Sequence, residues 1–164
     1  MLTGFIDIDV DINEIKDLKY NKASLSIDAL SQYAKSGHNL DQIILYNYFE
    51  PNPMPFSTDD LKEHFKLYNT TIAVNWCKPG QYLPLHQDLY KKWINLHNFF
   101  DIDRIVRYIV MLEDHIPSQF LQIDNQVINN WKAGDYFGWH GDTVHAIYNF
   151  SFSDRYALQV TGHV

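Results

Sequence analysis

A mainly β chain with helices ahead of it, α+β in class and built on a jelly-roll core, is predicted by three observations. Between residues 70 and 162, short runs rich in branched and aromatic side chains alternate with turn signals about every 8–12 residues, the spacing of a sandwich or barrel. Capped helical patterns are concentrated in the first 69 residues, so helices come first and strands afterwards, as a buttress beside a double-sheet core. Aromatic residues are plentiful, 11 Tyr, 10 Phe and 4 Trp, and such side chains pack well on a pleated surface. The 164 residues fit one domain, 1–164, with an N-terminal strand and helical buttress over 1–69 and the jelly-roll core over 70–164.

The elements follow from local pattern. Residues 5–12 alternate, with Ile6, Ile8, Val10 and Ile12 on one face and Asp7, Asp9 and Asp11 on the other, which predicts a half-buried strand. The glycine and distal Glu of a calcium loop are absent, so the three aspartates read as a solvated face. Ser24 to Lys35 reads as a helix, capped by Ser24 or Ser26 and ended by Gly37. Residues 42–49 fit strand or helix, and Pro51, Pro53 and Pro55 then force an irregular connection. Ser57 caps a second helix with acids in its first turn, ending near Tyr68. Thr70 to Trp76 is a strand, Lys78-Pro79-Gly80 a turn, and Tyr82 to Gln87 a second strand. Residues 89–101 fit a short helix or a folded loop over a pocket. Arg104 to Leu112 is a buried strand, and Phe120 to Ile123 and Gln126 to Trp131 pair around Asp124-Asn125. Gly134-Asp135 turns the chain into Tyr136 to Trp139, and Val144 to Phe150 and Tyr156 to Thr161 complete the strands.

Composition narrows the function. Net charge is −7, so the broad basic footprint of a duplex nucleic-acid binder is missing. Lys91, Lys92, Arg104 and Arg107 form the one place for a local basic patch, or are solvated charges around a loop. The lone Cys77 can form neither an internal disulfide nor a Cys-based zinc site, which fits a reducing compartment. The first residues lack a signal-peptide pattern, and no apolar run approaches the roughly 20 residues of a membrane span, so a cytoplasmic, soluble protein is expected.

The chemistry lies between Tyr82 and Arg155. His86 and Asp88 stand at i and i+2, so on a strand both side chains leave one face. His145, 59 residues after His86, can bring a third ligand from a later strand. Two imidazoles and one carboxylate make the facial triad of non-haem Fe(II) oxygenases, with positions left open. A second His-x-Asp, His140-Gly141-Asp142, gives a rival set with His145, but these three lie within six residues and converge only through a tight loop. The triad His86, Asp88 and His145 is therefore favoured. Two imidazoles argue against magnesium and calcium, whereas zinc shares the ligand types. Arg155, ten residues past His145, suits a carboxylate co-substrate, because its planar fork matches a carboxylate and keeps its charge.

On His86-Gln87-Asp88, His145 and Arg155 the chain resembles the Fe(II)/2-oxoglutarate-dependent oxygenases, over residues 70–162. The segments from Pro79 to Asp88, Trp131-Lys132-Ala133-Gly134-Asp135, and Asn149 to Arg155 look most like the aspartyl/asparaginyl β-hydroxylase branch; small phage and bacterial oxygenases are similar as well. The resemblance implies a double-stranded β-helix, iron held by His86, Asp88 and His145, and 2-oxoglutarate held at its distal carboxylate by Arg155. It implies that O2 converts 2-oxoglutarate to succinate and carbon dioxide while a substrate C–H bond is oxidised. Two positions depart from the family pattern. Ala157 stands where some branches carry a Ser, leaving the second contact to the distal carboxylate unassigned. Arg107-Tyr108-Ile109 stands where the β-hydroxylases have Arg-x-His, so Arg107 reads either as a co-substrate contact or as half of an ion pair.

Three functions follow as alternatives: a hydroxylase, a cupin-like metal enzyme that uses no 2-oxoglutarate, and a jelly-roll binding module without catalysis. Arg155 separates the first two, since the second has no need of it. Residues 89–103, with Lys91, Lys92, Trp93 and Phe99, are the candidate lid, and a peptide side chain or a small molecule is the expected substrate. Trp76, Tyr136 and Trp139 read as packing residues, one or two of them lining the pocket.

Overall fold

A computed structural model describes residues 1–164. The first three helices each begin on a polar cap. The Asp11 carboxylate accepts from Asn13 N–H at the start of α1, Ile12–Lys16. The Ser26 hydroxyl accepts from Ala29 N–H at the start of α2, Ile27–Lys35. Ser57 caps α3, Thr58–Phe65, in the same way, with Asp59 and Asp60 in its first turn against the helix dipole. The helix α3 ends at Lys66 in the left-handed conformation, before the Tyr68 expected from sequence.

Eleven strands form two antiparallel sheets. β1 is Leu2–Phe5, β2 Asn21–Lys22, β3 Tyr46–Phe49, β4 Tyr68–Cys77, β5 Gln81–His86 and β6 Ile105–Met111. β7 is Gln119–Ile123, β8 Gln126–Ile128, β9 Asp135–His140, β10 His145–Asn149 and β11 Arg155–His163. The larger sheet runs β1-β9-β6-β11-β4-β3-β2 and the smaller β5-β10-β7-β8. From β4 onward the chain passes back and forth between the sheets, which closes a double-stranded β-helix of the cupin type. The ambiguous residues 42–49 resolve into a 3-10 turn, Leu40–Gln42, and β3. Residues 89–101 contain α4, Lys91–His97. No helix is long and apolar enough to cross a membrane.

Strand alternation builds two cores. Cys77, Ile109, Met111, Trp139 and Ala157 from the larger sheet meet Leu83, Leu121, Ile123 and Ile147 from the smaller sheet between the layers. Ile72, Val74, Val110, Leu158 and Val160 point the other way and pack with Ile15 of α1 and Leu61 of α3. The helical buttress thus covers the outer face of the larger sheet.

The strand expected over 5–12 is corrected. β1 ends at Phe5, and only Ile6 N–H continues its pairing, donating to the Gly134 carbonyl at 2.9 Å. β9 begins at Asp135, so residues beyond Ile6 have no strand to pair with. The alternation is nevertheless real: Ile6 belongs to the outer core, with Ile8, Val10 and Ile12 packed against it. Gly134 permits this approach, since its φ is +91° and a Cβ there would come within 2.5 Å of the Ile6 carbonyl oxygen. The strand expected over 126–131 also stops early, at Ile128, and Trp131 lies buried beyond it.

One end of the interior is closed by a polar network. Asn149 Nδ2 donates to the carbonyls of Cys77 at 2.8 Å and Ser153 at 2.9 Å. Ser151 Oγ donates to Asn149 Oδ1 at 2.7 Å, and Gln119 Nε2 donates to Ser151 Oγ at 3.2 Å. These bonds satisfy buried polar groups of the β10–β11 turn and fix the position from which Arg155 starts β11.

Candidate metal centre

His86 ends β5 and His145 begins β10, and the register pairs the two residues directly. On the next aligned pair, Ile147 faces Leu83, so β5 carries one extra residue between the two pairs. This bulge re-aims His86, and β5 tolerates Pro84 because it is an edge strand. Asp88 lies just past the strand. The three side chains converge: one ligand atom from each of His86, Asp88 and His145 lies within 4.8 Å of the others. His145 Nε2 is 3.2 Å from Asp88 Oδ2, and His86 Nε2 is 3.9 Å from Asp88 Oδ1. The rival set is not gathered; His140 and Asp142 are exposed.

Each imidazole is oriented by its own strand. His86 Nδ1 lies 2.7 Å from the Pro84 carbonyl oxygen and His145 Nδ1 lies 2.9 Å from that of Thr143. A carbonyl can only accept, so Nδ1 is the protonated nitrogen in both rings. In the neutral imidazoles both Nε2 lone pairs are then directed at the carboxylate. Converging lone pairs and one negative charge make a seat for a cation, with the outer nitrogens held as metal-binding histidines require. Trp139 packs against His145 with ring centroids 4.4 Å apart and closes one side.

The electrostatics follow from burial and from one cation. Burial alone would raise the Asp88 carboxyl, but the Arg107 guanidinium, with His145 and His86, outweighs it and holds the group well below the ordinary carboxylate range. Burial, together with the neighbouring His145, lowers His86 below its ordinary 6.5, against the opposing pull of Asp88 and the Pro84 carbonyl. His86 therefore stays neutral in the fold while the unfolded chain protonates it near 6.5. Its contribution to stability is complete above that value and is lost as pH falls through the lower, folded value. In metal-free protein, denaturant midpoints taken from about pH 8 to about pH 5 should fall for the wild type below the ordinary histidine range. His86→Gln should lack that component of the fall.

Arg107 is an ion-pair residue. Its Nη1 contacts Asp88 Oδ2, its Nε donates to Thr161 Oγ1 at 3.1 Å, and its guanidinium lies 4.9 Å from the Tyr90 ring centre. Of its two expected roles, the ion pair is the one observed. The basic patch is corrected accordingly: Lys91, Lys92 and Arg104 are exposed, but Arg107 is turned inward.

Arg155 is brought to the opposite end of the interior from His145, because β10 leads away from the triad before the chain returns in β11. It is 5% exposed and makes no ion pair. Its Nη2 faces the Met111 sulfur at 3.6 Å, its guanidinium lies 5.4 Å from the Trp131 ring centre, and its Nε has no hydrogen-bond partner. Burial lowers even this group below its ordinary 12.5, with a smaller opposing effect from Cys77. Trp131 carried no sequence signal for this contact, since it lies off the strands. Thr161 was legible in principle, because Arg155, Ala157, Gln159 and Thr161 alternate onto one face of β11.

No protein-family model and no curated protein matches the sequence. Among solved structures, the chain is similar to a prolyl-4-hydroxylase from Pseudomonas putida, at 13% identity and a TM-score of 0.56, over 93% of this chain and 96% of that one. It is also similar to a candidate sugar phosphate isomerase from Acidithiobacillus ferrooxidans, at 14% identity and a TM-score of 0.51, over 94% of this chain and 74% of that one. At these identities the likeness is one of fold, and it agrees with the strand order above.

Proposed function

We propose that this chain is an Fe(II)- and 2-oxoglutarate-dependent oxygenase, a hydroxylase that oxidises a C–H bond of a peptide side chain or a small molecule. The observation that carries the reading is Arg155, a buried guanidinium with no anion beside it. An isolated charge in the interior costs several kcal/mol, so a fold that keeps one has a partner for it that is not part of the chain. A carboxylate entering between the sheets is that partner. The triad at the other end supports a 2-oxo acid, whose distal carboxylate meets Arg155 while its oxo-acid end reaches the metal.

His86, Asp88 and His145 would hold the ion, and a set of two imidazoles and one carboxylate would leave positions open for other ligands. When bound, iron activates O2 so that 2-oxoglutarate becomes succinate and carbon dioxide, one oxygen atom entering succinate and the other the substrate. The chain's own part is to orient the imidazoles through Pro84 and Thr143, to fix the carboxylate, and to exclude water with Trp131, Trp139 and Met111. The segment 89–103, with α4, follows Asp88 directly and is the candidate substrate-contacting lid. The chain's acidity disfavours nucleic acid as the substrate.

Fe(II) added to the metal-free protein without oxygen, followed by 2-oxoglutarate, should give a weak visible metal-to-ligand charge-transfer band. Iron bound without the band would favour the cupin-like enzyme that uses no 2-oxoglutarate. Neither iron nor band would leave a binding module.

A further inference from the structure

The two imidazoles of the triad are each fixed by a carbonyl two residues away on their own chain segment. Asp88 has no such anchor. It lies outside β5, in a stretch with no regular structure before α4, and no backbone N–H donates to its carboxylate. The one side chain of fixed charge that touches it is Arg107, at Oδ2, the oxygen that also lies 3.2 Å from His145 Nε2, while Oδ1 lies 3.9 Å from His86 Nε2. Arg107 is itself seated three ways. It comes from β6 in the middle of the larger sheet, it donates through Nε to Thr161 Oγ1 of the neighbouring strand β11, and Tyr90 lies against its face. The cation is therefore held by contacts of its own, whereas the carboxylate has no backbone partner.

A carboxylate can coordinate a metal through one oxygen or through both. An Asp on an irregular segment, unrestrained, is free to turn and chelate with both, which would use a position that a 2-oxo acid or O2 needs. We propose that Arg107 is a positioning residue: by occupying Asp88 Oδ2 it restricts this ligand to one oxygen and keeps the third open position at the metal. The inference rests on the metal-site reading above. It gives Arg107 a role other than contact with the co-substrate, and it makes Thr161 and Tyr90 parts of the same device.

The test uses Co(II) as the probe metal in the full chain, with infrared difference spectra between Co(II)-loaded and metal-free protein. One-oxygen coordination separates the two carboxylate stretches widely, and two-oxygen coordination narrows the separation. The wild type should show the wide pattern. Arg107→Met should narrow it while Co(II) affinity falls no further than the roughly 10–100-fold typical of lost outer-shell partners, and 2-oxoglutarate affinity of the Co(II) protein should fall. Arg107→Lys, with one donor in place of a fork, should recover part of both, and Thr161→Val should move both in the direction of Arg107→Met. A merely structural role would lower the melting temperature without moving the infrared pattern. The inference fails if Arg107→Met and Thr161→Val both keep the wild-type pattern, or if Arg107→Met does not fold and Thr161→Val keeps that pattern. A wild type that binds Co(II) with the wide pattern but ignores 2-oxoglutarate sinks the co-substrate reading and leaves the positioning of Asp88 standing. A wild type that binds no Co(II) sinks both.

Discussion

Replacing Arg155 by Met should weaken 2-oxoglutarate binding by about two to three and a half orders of magnitude and, in the same protein, raise the melting temperature of the ligand-free state. The two effects have one cause. Arg155 is buried without an ion pair, against Met111 and Trp131. Removing one partner of a buried, hydrogen-bonded charge pair costs about 3–5 kcal/mol. At 1.4 kcal/mol per factor of ten, that loss is about two to three and a half orders of magnitude in affinity. In the ligand-free state the same side chain is an uncompensated charge, and replacing buried charges by apolar groups of similar volume is neutral or stabilising by about 1–4 kcal/mol. For a domain of this size each kcal/mol shifts the midpoint by about 2–4 °C. Calorimetric titration of the metal-loaded protein with 2-oxoglutarate, beside thermal melts without it, measures both. Weakened binding with a lowered melting temperature would mean that Arg155 is structural, held by its contacts to Trp131 and Met111. Unchanged binding would move the reading to the enzyme that uses no 2-oxoglutarate.

Asp88→Ala should remove the stabilisation that the metal confers. A ligand present at about 100 times its dissociation constant stabilises the folded state by about 2.7 kcal/mol, or about 5–10 °C here. The wild type should show that shift with Fe(II) under anaerobic conditions, or with Mn(II) in air. Asp88→Ala should show none at the same concentration, since two neutral imidazoles alone make a weak site. The variant also deprives Arg107 of its anion, so its metal-free melting temperature should fall below that of the wild type. His145→Ala should abolish the metal-dependent shift as well, but it leaves the Arg107–Asp88 pair intact. The contrast separates loss of the ion from loss of the ion pair. A full metal-dependent shift in both variants would rule out the triad.

Much of this was legible in the sequence, and what was not has physical reasons. Strands β4 to β11 were recoverable because each keeps one face between the sheets, and a period of two survives in the residue order. The segment 6–12 shows the limit of that signal. Its alternation records which side chains are covered, not whether the backbone has a strand to pair with, and here β9 ends the pairing at Ile6. The convergence of His86, Asp88 and His145 was inferable from spacing, whereas the bulge that brings His86 opposite His145 was not, since the position of an extra residue depends on both strands. Arg107 offered two roles in sequence, and its contact with Asp88 from a seat on Thr161 and Tyr90 shows the ion pair. That Arg155 would lack a partner was invisible: twenty acidic residues gave it every opportunity, and only the fold keeps them away.

The two sides of the site are not equally secure. β10 has a neighbour on each flank, β5 and β7, so His145 is carried by the middle of its sheet. β5 has β10 alone, and Asp88 continues beyond its end. Fraying begins at edges, where half the backbone groups have no partner. An ion held by the triad would therefore act as a clasp that fastens the loose border of the sheet to its interior, with Asp88 tied in addition to β6 through Arg107.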